Sequence, residues 1–165
     1  MMDVILKRRS VRKYRPDKID EEVVREILKA GFCAPSARNL RPWRFVVVDD
    51  REKLDKIAVG CPNAAMLKSA PAAVIVCGNI DESLDYWADD CAAATQNILL
   101  AATYFELGSC WCAAYPKSAR MEPLCEILSL PQNIKPYSIV AMGKADEERA
   151  ATDRFEESKV KRNGW

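Results

Sequence analysis

The chain has 165 residues, with 25 Lys and Arg against 24 Asp and Glu and a formal net charge of +1. Such a balance argues against a broad basic footprint for nucleic acid, and no apolar run is long enough to span a bilayer. Histidine is absent, which removes Ser-His and Cys-His nucleophilic pairs and the usual general base near neutral pH. Hydrolase readings lose most of their weight.

Length alone suits one domain, 1–165, whose folding buries around two-thirds of the surface exposed by the unfolded chain. The start, MMDVILKRRSVRKY, shows no apolar core followed by a small-residue cleavage site, so a cytoplasmic protein is expected. Seven cysteines, an odd number, suit reduced thiols better than a disulfide framework. Only Cys110 and Cys112 are close and there is no CxxC, so buried small hydrophobes are expected and no metal site.

In chain order, residues Asp3 to Arg9 read as a short helix that gives way to an extended stretch, VRKYRPDKI, which Pro16 keeps from continuing a helix. Asp20 is placed to cap the next helix, with Glu21 and Glu22 in its first turn and Val23, Ile27, Leu28 and Ala30 at helical spacing up to Gly31. The turn-prone segment CAPSARNLRPW then precedes RFVVVDD, which reads as a buried strand. Glu52 to Val59 reads as a helix with Leu54, Ile57 and Ala58 on one face, and AAVIVCGN as a second buried strand.

Residues Tyr86 to Leu107 predict about six helical turns ending at Gly108, a natural C-terminal cap. Between Cys91 and Tyr104 the helix is apolar almost all round, so a sheet plus helices, or a second subunit, must cover it. A homodimer built partly on this helix is expected. SCWCAAY follows as a strand, Ala119 to Leu128 as a helix, and YSIVAMGKA as a last strand. The charged tail, residues 146–165, has no core pattern of its own. The expected class is α+β, with a sheet of four or slightly more strands and one central helix.

Six of the 25 Lys and Arg fall within Lys7 to Arg15. In an extended stretch residues two apart share a face, so Arg8, Ser10 and Arg12 point together while Arg9 and Val11 point away. Two guanidinium forks and a hydroxyl suit a phosphate; the alternative is a solvated basic surface.

Four pieces, RRSVRKY, APSARNLRPWRFVVV, AAATQNILLAATYFELGSCW and a strand ending VAMGKA, resemble in that order the nitroreductase family of flavin enzymes. The resemblance covers nearly the whole chain, closing NGW included. It implies a central mostly antiparallel sheet packed by helices, a long central helix at a dimer interface, and a tail, 146–165, that packs on the partner subunit. It also implies two FMN molecules held between the subunits.

By this resemblance Arg8, Ser10 and Arg12 bind FMN phosphate, ribityl chain and pyrimidine edge, with Arg9 in the same cofactor-binding cluster and Arg12 near flavin N1 and O2. Pro35, Ser36, Ala37 and Asn39 match the loop that reaches the flavin of the other subunit, while Trp43 anchors that loop in the core. Asn63 matches a position at the pyrimidine edge. The backbone N–H of Ala113 or Ala114 matches the donor to flavin N5. Arg154 matches a further phosphate ligand, but Thr152 stands where relatives commonly carry Lys, with Lys144 and Arg149 as possible substitutes. Arg41 is read as surface charge or as a contact to an anionic substrate.

The implied activity is hydride transfer from NADH or NADPH through flavin N5 to a nitroaromatic, quinone or similar small-molecule acceptor, with ping-pong kinetics and no catalytic side chain. The alternatives are a flavin-binding redox sensor or storage protein without turnover, a relative with different flavin chemistry, and a dimeric module that binds no flavin.

Overall fold

The computed structural model describes residues 2–150 and 152–165; Met1 and Ala151 lie outside the described residues. Four strands, β1 (Trp43–Val48), β2 (Ala72–Asn79), β3 (Gly108–Ala113) and β4 (Ile134–Gly143), form one sheet in the order β1-β2-β4-β3. Every pairing within it is antiparallel. Five α-helices flank it: α1 (Met2–Lys7), α2 (Glu21–Phe32), α3 (Arg51–Gly60), α4 (Trp87–Tyr104) and α5 (Ser118–Leu128). The expected α+β class and central antiparallel sheet are present.

Strand alternation explains why the central strands are continuously apolar. Ala73, Ile75 and Cys77 of β2 point into one core with Leu54, Ile57, Leu124, Ile139 and Ala141, under α3 and α5. Their neighbours Ala72, Val74 and Val76 point into a second core with Ile27, Ile98, Leu99, Val140 and Met142, under α2 and α4. Both faces are covered, so β2 is buried from Ala72 to Gly78 and period-2 polarity disappears there.

Asp20 caps α2 through Glu22 N–H (2.8 Å), and Asp50 caps α3 through Lys53 N–H (2.9 Å), so Asp50 belongs to the helix rather than the strand. The central helix corrects the sequence reading at its end. It stops at Tyr104, where Glu106 turns left-handed (φ 59°) and Leu107 N–H reaches Ala102 O at 2.8 Å. Gly108 is therefore not the cap: it opens β3, where an added Cβ would lie 2.8 Å from Val11 Cγ1. Within one chain α4 is covered by the sheet, α2 and α1, leaving Asp89 and Tyr104 exposed. Its buried polar pair is satisfied internally, with Thr95 and Ser138 hydroxyls 2.9 Å apart.

Burial pushes the Cys77 thiol up to about 12, against about 8.5 for an exposed thiol in the unfolded chain. The native state keeps a proton that the unfolded state releases, so this stabilisation is complete below about pH 8.5 and lost as pH rises toward 12. By pH 10 the loss reaches up to about 2 kcal/mol. Thermal midpoints by circular dichroism should therefore fall between pH 8 and 10, and less steeply in Cys77→Ala; equal slopes would contradict this.

Candidate functional site

The N-terminal extended stretch lies against the edge strand β3. Ser10 bridges Ser109 in parallel, and Val11 N–H donates to Ser109 O at 2.9 Å. Val11 is buried under the sheet. Arg8, Ser10 and Arg12 all act on the Cys110 thiol. A hydrogen bond with Cys112, and then Arg12, Ser10 and Arg8, pull Cys110 below its ordinary value against the opposing effect of burial, while Cys112 is raised.

Guanidinium groups converge at one end of this face. Burial, followed by repulsion from Arg154 and Arg9, pushes Arg8 below its ordinary value. Three like charges gathered from residues 8, 9 and 154 favour an anion between them. Arg9 itself is engaged by carbonyls, Ala150 O through Nε (3.0 Å) and Leu6 O through Nη1 (2.7 Å), and straps the tail to the end of α1. Its Nη2 is buried without a partner. Arg149 pairs with Glu147 (2.9 Å), and the same carboxylate accepts the Arg12 N–H. Thr152 accepts from Arg154 Nε at 3.4 Å.

At the other end, Asn63 sits in a 3-10 segment, Pro62–Lys68, and donates through Nδ2 to Ala113 O at 3.0 Å. Its Oδ1 is buried without a partner. Ala114 N–H is taken by Tyr137 O at 3.0 Å, so by the alternation of an antiparallel ladder Ala113 N–H points to the free edge of β3. Trp87, Tyr115 and Tyr137 pack beside this strand end, with Trp87 and Tyr115 centroids 4.8 Å apart.

The loop ahead of β1 is held rather than loose. Ala37 N–H donates to Asp90 Oδ1 (2.8 Å), and Ser36 Oγ accepts from Arg41 N–H (3.0 Å). Arg38, Asn39 and Arg41 are left-handed, with φ of 53°, 56° and 52°. For side chains other than Gly, such strain of about 1 kcal/mol or more each clusters at functional sites. Trp43 is 1% exposed and anchors the loop, as expected. Pro35 is exposed beside it. A cavity of about 810 Å³ lies elsewhere, between the Tyr14–Ile19 stretch, α2 and β1, and none of these residues lines it.

Known proteins share this fold. The model of the nitroreductase family matches residues 5–74 and 59–144. The chain belongs to the nitroreductase family. One relative, from Archaeoglobus fulgidus, carries the name "Putative NADH dehydrogenase/NAD(P)H nitroreductase"; it is 42% identical over 99% of this chain and 98% of its own. A solved structure of the same name from Bacteroides thetaiotaomicron superposes at TM-score 0.97, with 43% identity over 99% of this chain and 97% of that one. An FMN-dependent nitroreductase from Clostridium difficile R20291 superposes at 0.95, with 32% identity and full coverage of both chains.

Within this nitroreductase-family chain, sequence reasoning missed Asp90 and Arg120. Asp90 is 5% exposed in the first turn of α4, beside the exposed Asp89, and holds Ala37. Arg120 donates to Ala113 O at 3.2 Å, a contact across the seven-residue turn from β3 into α5 that no periodic pattern announces.

Proposed function

We propose that the protein is an FMN-dependent oxidoreductase, acting as a homodimer, that uses NADH or NADPH to reduce a nitroaromatic, quinone or similar small acceptor. The observation that carries this reading is the convergence of Arg8, Arg9 and Arg154 guanidiniums at one end of a face whose other end offers a free backbone donor. The residues present fit FMN. The cluster suits its phosphate, and the buried, unpartnered Asn63 Oδ1 suits an N–H at the pyrimidine edge.

Bound FMN would supply the hydride-transfer chemistry between a reduced nicotinamide and the acceptor. The chain's own part is binding, orientation and electrostatics. Arg8 and Arg154 hold the phosphate, Ser10 the ribityl chain, and Arg12 supplies positive charge near N1 and O2. Ala113, rather than Ala114, offers its N–H toward N5, because the Ala114 N–H is spent on Tyr137 O. Pro35, Ser36, Ala37 and Asn39 reach the flavin of the second subunit. The whole chain, 1–165, works as one FMN-binding domain.

Phe155, Val160 and Trp165 are 69%, 51% and 102% exposed, which suits a tail, 146–165, that packs on the partner. None of the described helices is long and apolar enough to cross a membrane, and we place the protein in the cytoplasm.

Steady-state rates with varied donor and acceptor test the reading. Parallel double-reciprocal lines are expected; intersecting lines would count against a shared flavin site used in turn.

A further inference from the structure

We propose that Arg120 is a specificity-determining residue that anchors an anionic oxygen group, carboxylate or phosphate, on the molecule bound beside Ala113. This rests on the flavin reading above. Helix α5 begins five residues after β3, and Arg120 is its third residue, half-buried against the strand end. Its Nη1 donates to Ala113 O at 3.2 Å, which places the guanidinium one hydrogen bond from the free edge of β3.

That carbonyl already accepts from Asn63 Nδ2 at the shorter distance of 3.0 Å, so Arg120 is not needed to satisfy it. A guanidinium has five N–H donors in a planar fork, and one is used here. Among the described residues no carboxylate lies within ion-pair distance of Arg120. The first turn of α5 carries no acidic residue, and Lys117 adds a second cation next to it. The surrounding groups are polar or neutral: Asn63, and the Cys61 thiol, which donates to Arg120 O at 3.3 Å. A partly buried, uncompensated cation of this shape matches a bidentate anionic oxygen ligand.

Two sources of such a ligand exist at a nicotinamide-dependent site, an acceptor carboxylate and the phosphates of the donor. Stopped-flow half-reactions of the FMN-loaded protein separate them, with 4-nitrobenzoate and nitrobenzene as acceptors and NADH and NADPH as donors. Calorimetric binding of 4-nitrobenzoate to the oxidised protein is measured alongside. For an acceptor carboxylate, Arg120→Leu should lower the preference for 4-nitrobenzoate over nitrobenzene and its binding constant by about 10- to 100-fold, the size of a hydrogen bond to a charged group. Arg120→Lys should restore part of both. For the donor phosphates, the loss should fall on the rate of reduction instead, with the acceptor preference unchanged.

Equal losses for both acceptors would mean that Arg120 acts only by holding the Ala113 carbonyl, and would overturn the proposal, as would unchanged rates and binding. If the wild-type protein neither keeps FMN nor is reduced, the flavin reading fails, and loss of calorimetric 4-nitrobenzoate binding in Arg120→Leu still decides the anion site.

Discussion

Arg8→Ala should weaken FMN binding by about 10- to 100-fold, the loss expected for charge-assisted hydrogen bonds to phosphate, without lowering the thermal midpoint of the cofactor-free protein. The second half of this expectation separates a binding role from a structural one. Arg8 is held near Arg154 and Arg9, and those like charges disfavour its protonated form. Removing it relieves repulsion that an anion would otherwise compensate. A substitution that loosens the fold would instead lower the midpoint and the affinity together. Fluorescence titration of FMN and differential scanning calorimetry decide the matter; unchanged affinity would show that the basic cluster is only a surface.

Gly78→Ala should destabilise the fold by about 2 to 3 kcal/mol, the range for overpacking a filled core. An added Cβ would lie 2.5 Å from Trp87 Cε3 and 3.2 Å from Cys91 Sγ. Neither neighbour has an easy retreat, because Trp87 is packed edge-on against Tyr115 and Tyr137 and Cys91 is fully buried. Moving Trp87 also moves the aromatic group beside Ala113 and Ala114, so altered flavin absorbance should accompany the lost stability. A urea midpoint equal to wild type would show that α4 can lift from the sheet without cost.

Legibility in the sequence followed how local each signal was. AAVIVCGN is β2 from end to end, and Asp20 caps α2, because burial and capping act within a few residues. Glu106 took the left-handed turn that Gly108 was expected to take, since Gly108 is needed where β3 passes Val11. The 3-10 segment Pro62–Lys68 is too short and irregular for a periodic apolar pattern to announce it. In the site, the alternation expected for Arg8, Ser10 and Arg12 rests on an extended stretch, and Ser10 does bridge Ser109 of β3.

The contacts of Asn63 and Asp90 lie beyond any local pattern. Asn63 and Ala113 are 50 residues apart, and Asp90 and Ala37 are 53 apart. Only the closed fold brings them together. The structure also decides between Ala113 and Ala114 as the free donor, which the sequence left open, because Tyr137 O occupies one of the two N–H groups.

The central claim is that this chain holds FMN and passes it electrons from a reduced nicotinamide. The direct measurement is the visible spectrum of the purified protein after FMN is added and the excess removed, followed by anaerobic NADH and then NADPH. A retained flavin band that bleaches with at least one donor is expected. A protein that emerges colourless, or a flavin that neither donor bleaches, would contradict it.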